Sequence, residues 1–364
     1  MKNLNKKTAV ILFNLGGPDS PQAVKPFLFN LFNDRAIISL PQPFRFFLAK
    51  LISSRREKKA QAIYAQIGGK SPLLELTQQQ AYALEKELSF VGNFKVFIAM
   101  RYWKPLAEET VLEVKKYDPD QLILLPLYPQ FSSATTESSV SDFVEKFAQK
   151  RKKSDKELKT KIVCCYPTES DFIKSHSLLI KQTILKSYAD FPKFRFLFSA
   201  HGLPQKLIDA GDPYVFQVEE TAQKIVKNLA EILSVKEEEI NFKICFQSKV
   251  GPLQWTSPSL EQEIKRVALD KKIPVIIPVA FVSEHSETLV ELDIEYKEMA
   301  EKLGIKNYLR VPALNADGHF IKSLATICKN VDLNNDFSVF SGGAPIRICP
   351  KKMRMCSNPN PCQA

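Results

Sequence analysis

The sequence predicts an α/β protein of two similar, doubly wound (Rossmann-like) domains with parallel sheets. Three observations carry this: short β-branched and aromatic runs alternate with longer amphipathic stretches, the runs are mostly apolar throughout rather than at every second residue, and they fall four and four on either side of Pro167–Ser170. A strand that is apolar on both sides must be covered on both sides, which is the condition of a parallel sheet flanked by helices. The runs are Thr8–Leu15, Val96–Arg101, Gln121–Leu127 and Lys161–Tyr166, then Phe194–Ser199, Asn241–Phe246, Ile273–Phe281 and Tyr308–Val311. Helical periodicity fills Ala107–Lys116, Ser138–Lys150, Val218–Leu233 and Glu287–Leu303.

This division sets domains at residues 1–167 and 168–333, each with its site expected at the carboxyl ends of its strands. Residues 334–364, rich in Gly, Pro and Cys, read as an irregular Cys-containing extension. One segment, 27–56, breaks the alternation: Phe44, Phe46, Phe47, Leu48, Leu51 and Ile52 stand beside Arg45, Lys50, Arg55 and Arg56. It reads either as a core helix, or as an apolar lip over a large hydrophobic ligand or a membrane surface.

The 364 residues carry a formal net charge of +11, with 45% apolar and 25% charged residues, the balance of a soluble globular protein. A basic balance suits nucleic acid, an anionic membrane surface or an acidic small molecule. The basic residues are not interleaved with aromatics as in an RNA-binding sheet, so no nucleic-acid partner is expected. The N-terminus lacks an apolar leader and the chain has 7 cysteines, which predicts a cytoplasmic protein holding thiols. The longest apolar stretch, Ile273 to Val282, is broken by Pro274 and Pro278. It falls short of the ~20 residues that a spanning helix needs.

Two strand ends carry candidate chemistry. Ser199-Ala200-His201-Gly202-Leu203-Pro204 puts an imidazole in a turn after the fifth run, where it can accept a proton or bind a metal. Phe281-Val282-Ser283-Glu284-His285-Ser286-Glu287 follows the seventh run. Beyond it, Glu287, Glu291 and Glu295 stand four apart, so an α-helix would stack them on one face. Such a stripe is either a solvated face paired with Lys297 or Lys302, or a carboxylate ladder conducting protons or a divalent cation. Asn14–Ser20 and Gln66–Pro72 are glycine-containing turns that lack the spacing of nucleotide-binding loops. The cysteines form no C-x-x-C pair.

Taken together, Leu12–Ser20, Gln66–Pro72, Arg101-Tyr102, Tyr128-Pro129-Gln130, Ser199–Pro204, Gln247–Gly251 and Phe281–Glu295 closely resemble the ferrochelatase family, in the family's order and across most of the chain. The resemblance implies a chelatase-like fold and a lyase that inserts Fe²⁺ into protoporphyrin IX to form protoheme, releasing two protons, as the terminal step of heme synthesis. It implies that His201 and Glu287 face each other across the porphyrin, as catalytic and iron-binding residues. Glu291 and Glu295 match the acidic path leading away. Arg56, Tyr64 and Ser71 match porphyrin contacts, Arg101 a basic residue near the site, and Phe281 an apolar wall. Some members hold a [2Fe–2S] cluster. Here Cys349, Cys356 and Cys362 would be its ligands, while Ser175 stands where an upstream cysteine would be.

Two further departures are Lys70, where a third glycine is frequent, and Glu284, where Asp is frequent. The chemistry requires no organic cofactor, and porphyrin and Fe²⁺ are the partners expected as substrates. The lip adds an expected peripheral contact with the inner face of the membrane. The alternatives are a chelatase for coproporphyrin or another metal, and a non-catalytic porphyrin or metal carrier. Sustained turnover separates enzyme from carrier.

Overall fold

The structure, a computed structural model, describes residues 6–151, 158–187, 189–249 and 253–360. The strands are β1 (Lys7–Asn14), β2 (Asn93–Met100), β3 (Gln121–Pro126), β4 (Lys159–Cys165), β5 (Phe194–His201), β6 (Phe242–Gln247), β7 (Ile273–Pro278), β8 (Leu309–Arg310) and β9 (Val339–Ser341). The α-helices are α1 (Val24–Phe32), α2 (Phe44–Ala65), α3 (Leu73–Ser89), α4 (Ala107–Tyr117), α5 (Ser138–Gln149) and α6 (Ser170–Leu185), followed by α7 (Gln205–Asp209), α8 (Tyr214–Leu233), α9 (Leu260–Leu269), α10 (Tyr296–Lys302) and α11 (Gly318–Leu333). The chain divides into two compact units. One takes the described residues within Met1–Tyr166, Leu324–Ile348 and Ser357–Ala364, the other those within Pro167–Ser323 and Cys349–Cys356.

The first unit holds a parallel sheet in the order β2-β1-β3-β4-β9. Every residue of β1 after Lys7 is buried, as is all of β3, which is why these strands read as continuous apolar runs. Ile11, Phe13, Val111, Leu124 and Phe143 form one side of the core, under α4 and α5. Lys161 is fully buried in β4, and its ammonium donates to the carbonyls of Val331 at 2.6 Å and Asp332 at 3.1 Å, capping the end of α11.

The tail corrects the reading of 334–364 as irregular throughout. Val339–Ser341 pairs in parallel with β4, with a register shift between Val163 and Cys165. Three residues next to Gly342 and Gly343 are too few to show a strand period.

The lip segment is two helices. Phe44, Phe46, Phe47 and Leu51 on α2 are 67%, 42%, 64% and 46% exposed, whereas Ala49, Ser53 and Tyr64 of the same helix are buried. The segment is therefore not a core helix. At its root, Asp34 is buried and receives Arg101, the Tyr102 hydroxyl at 2.9 Å and the Ser138 hydroxyl.

The second unit holds a parallel sheet in the order β6-β5-β7-β8. Strand order reverses between β5 and β7, so the crevice at their carboxyl ends is the natural ligand position of an open α/β sheet. Those ends deliver His201 and the loop that leads to Glu287.

Candidate active site

In the second unit, β5 ends at His201, which is in register with Gln247 at the end of β6. His201 Nδ1 lies 2.6 Å from the Gly202 carbonyl. A carbonyl only accepts, so Nδ1 carries the proton and Nε2 holds the lone pair of the neutral ring. That Nε2 faces Glu287 Oε1 at 3.5 Å. His285 repeats the arrangement, with Nδ1 3.2 Å from the Ser283 carbonyl and Nε2 3.6 Å from Glu287 Oε2. One carboxylate thus stands between two imidazole Nε2 atoms, each ring oriented by a main-chain carbonyl. Phe281 packs on His285 with ring centroids 4.8 Å apart.

The helix beyond corrects the stacked α-helical stripe: Glu287–Glu295 is a π-helix, continued by α10. Such turns are rare and concentrate at functional sites. The helix leads from half-buried Glu287 through Glu291 to exposed Glu295. Glu291 accepts hydrogen bonds from Gln247 Nε2 at 3.0 Å, the Ser248 main-chain N–H at 3.0 Å and the Ser248 hydroxyl. Gln247 also donates to the Glu287 carbonyl at 3.1 Å and accepts from the buried Ser199 hydroxyl at 2.7 Å.

The two carboxyls are pushed apart. Burial acts to raise Glu287, but the positive charge His201 can carry, with hydrogen bonding and charge from His285, outweighs burial and holds it at about 2. Burial, then the Glu287 charge, moves Glu291 upward against the hydrogen bonds from Ser248 and Gln247. Neighbouring acids with separated affinities can divide an ionised role from a proton-relaying one.

Of the remaining expected residues, Arg56, Tyr64, Ser71 and Arg101 lie in the first unit. Tyr64 packs with Val24, Phe27, Leu28 and Tyr102. Ser71 is buried against Gly17 so closely that a Cβ there would sit 2.5 Å from the Ser71 Cβ. Arg56 lies over the Phe32 ring at 5.7 Å. Arg101 is ion-paired with Asp34 at 3.0 Å and Asp142 at 3.5 Å, a bound cation at the lip's root.

Sequence reasoning gave no role to Gln247, Ser248, His285, Asp34 or Arg310. A second imidazole two residues before Glu287 was the available signal for His285, whereas polar residues that act by holding others leave no pattern.

An iron–sulfur cluster usually takes four thiolates. Cys349 is buried and accepts a hydrogen bond from Gln217 Nε2 at 3.0 Å, Cys356 is half-buried, and Cys362 lies outside the described residues. Ser175 donates to Asp317 at 2.6 Å. Among the described residues no three His, Cys, Asp or Glu side chains are grouped to hold a metal ion. Among them, too, no helix is long and apolar enough to cross a membrane.

Paired parallel α/β units, with an imidazole–carboxylate set at strand ends in one of them, suit a metal chelatase. The fold is shared with SirB from Bacillus subtilis with Fe³⁺, at a TM-score of 0.50 and 13% identity, covering 90% of this chain and 96% of that one. The Ferrochelatase family model matches residues 7–331. The chain is 51% identical to a ferrochelatase of Rickettsia bellii, covering 97% of this chain and 96% of that one, and 49% identical to one of Rickettsia felis, covering 97% and 98%. It belongs to the ferrochelatase family, the metal-chelating lyases of heme synthesis.

Proposed function

We propose that this enzyme inserts Fe²⁺ into protoporphyrin IX, with His201 and Glu287 as the reacting pair. The observation that carries the reading is the Glu287 carboxylate set between the Nε2 atoms of His201 and His285 at 3.5 and 3.6 Å. Insertion must remove two pyrrole protons and strip water from the metal. The His201 lone pair takes a pyrrole N–H proton, and the ionised Glu287 offers the incoming cation an oxygen ligand and then stabilises the imidazolium. Glu291, whose affinity for protons is raised, receives protons from this pair and passes them along the π-helix to Glu295 at the surface. Both protons leave as the metal enters, so the ring keeps its charge.

In the first unit, the Phe-rich lip with Arg56, Tyr64, Ser71 and Arg101 suits a flat apolar ring with acidic arms; in the second, Phe281 beside His285 suits an apolar wall. The greasy lip favours protoporphyrin over coproporphyrin. Exposed Phe44, Phe47 and Leu51 beside Lys50 and Arg55 also suit peripheral contact with an anionic membrane on its inner face, from the cytoplasm. No organic cofactor takes part.

The test is His201→Ala in an anaerobic insertion assay with Fe²⁺ and protoporphyrin IX. A loss of roughly 10²- to 10⁴-fold in kcat, with normal circular dichroism, is expected of a lost general base. A near-normal rate overturns the assignment. Coproporphyrin in parallel tests the choice of ring, turnover beyond one equivalent separates enzyme from carrier, and sedimentation with anionic vesicles at low salt tests the membrane contact.

A further inference from the structure

One short segment, 308–315, grips the catalytic stretch at two places. The Tyr308 hydroxyl donates to the Leu292 carbonyl of the π-helix at 2.8 Å. Arg310, on the edge strand β8, donates through Nε to Asp293 Oδ1 at 2.7 Å, through Nη2 to Asp293 Oδ2, and through Nη1 to Glu284 Oε1. The same Glu284 oxygen accepts the Ala313 N–H at 2.9 Å. Asn315 closes the clasp: its N–H donates to the Val282 carbonyl at 2.7 Å, and its side-chain oxygen accepts the Glu284 N–H at 3.1 Å.

Glu284 stands three residues before Glu287, and Asp293 stands between Glu291 and Glu295. One guanidinium therefore ties the loop entering the π-helix to the helix itself. Arg310 and Glu284 side chains are each only 13% exposed, and Asp293 33%, so the fork works largely out of water, where a bidentate charged bond is both directional and strong.

We infer that Arg310 is a positioning residue for metal insertion: by joining Glu284 to Asp293 it fixes where Glu287 and Glu291 stand relative to His201. The inference rests on the reading of His201 and Glu287 given above. Its physical reason is the steep dependence of rate on placement, since a displacement near 1 Å can cost about 100-fold. Arg310 touches neither of the reacting side chains, so its loss acts on kcat and leaves porphyrin affinity alone. Only a planar fork can hold both partners, so a lysine at this position restores charge without restoring geometry.

The experiment compares Arg310→Met, Arg310→Lys, Glu284→Gln and Asp293→Asn with wild type in the anaerobic Fe²⁺ insertion assay, with porphyrin dissociation constants from fluorescence quenching and folding from circular dichroism. The expected result for Arg310→Met is a kcat reduced roughly 10- to 100-fold with porphyrin affinity within about twofold, and only partial recovery in Arg310→Lys. If Arg310→Met does not fold, the carboxylate variants decide. A fall of about fivefold or more in kcat for either one, in folded protein with unchanged porphyrin affinity, supports the inference, and wild-type kcat in both overturns it. Folded Arg310→Met at wild-type kcat, or with the loss residing in porphyrin affinity, overturns it as well. Normal turnover in His201→Ala would instead remove the active-site reading on which this rests.

Discussion

The Gln247 side chain donates to the Glu291 carboxylate at 3.0 Å from the end of a neighbouring strand, and the same nitrogen reaches the Glu287 carbonyl at 3.1 Å. A single amide thus joins β6 to the first turn of the π-helix, while its oxygen is held by Ser199 on β5. Gln247→Leu removes all three bonds and leaves the buried Ser199 hydroxyl without this acceptor. We expect a loss of about 1–3 kcal/mol in stability, measured by denaturant unfolding, together with a lower insertion rate. Gln247→Glu accepts from Ser199 but places a third acid beside Glu287 and Glu291, so it should lose activity while losing less stability. Wild-type activity in both variants would show that the amide only packs.

His176 makes a prediction about acid. It is fully buried on α6, both ring nitrogens lack a hydrogen-bond partner, and its ring meets Phe172 edge-on at 5.0 Å. Burial pulls its pKa down to about 3, against a weaker opposing effect of Asp317. The unfolded chain binds a proton near pH 6.5 that the folded chain refuses until about pH 3. The stability owed to the neutral ring is therefore complete above pH 6.5 and is lost as pH falls through that window, at up to roughly 1.4 kcal/mol per pH unit. Subtracting the unfolding free energies of His176→Phe from those of wild type between pH 7 and 4 isolates this slope. A difference that does not change with pH rejects it.

Asp34 anchors the root of the lip. It is buried, and Arg101, Tyr102, Ser138 and the Ala36 N–H at 2.9 Å all converge on it. Asp34→Ala leaves Arg101 with Asp142 as its remaining carboxylate and takes the acceptor from the Tyr102 and Ser138 hydroxyls, so it should cost about 1–3 kcal/mol, with faster proteolysis within residues 35–43. Asp34→Asn, which keeps the shape, should cost less. A melting temperature unchanged in Asp34→Ala would show that the pairing contributes nothing.

Gly17 lies where any Cβ would meet Ser71, 2.5 Å from its Cβ and closer still to its hydroxyl oxygen. Gly17→Ala should destabilise by about 1–3 kcal/mol through overpacking. Ser71→Gly added to it should return most of that loss, read from the double-mutant cycle. Simple additivity would place the strain elsewhere.

Much of this architecture was legible beforehand. Each of the eight expected runs overlaps a strand, because strands covered on both faces must be apolar at every position, and that leaves a signal periodicity cannot obscure. Val339–Ser341 went unread because three residues beside two glycines carry no period. The Glu287, Glu291 and Glu295 spacing pointed to a line of acids but not to a π-helix, since acids four apart fit an ordinary α-helical face. His201 was visible through its place at a strand end. Arg310 was invisible, because a lone arginine in a short edge strand looks like any other surface cation until its two carboxylates are brought to it.

The place of β9 beside β4 has a consequence for how the polypeptide is made. A nascent chain emerges amino end first, and its early domains generally fold as they leave the ribosome. The first sheet cannot be completed in that way, because its last strand is translated only after the Pro167–Ser323 part of the second unit. Until then β4 presents an unpaired edge able to join a strand from another molecule. Ribosome-bound chains halted before Val339 should accordingly be the aggregation-prone, chaperone-dependent species of this enzyme's biogenesis.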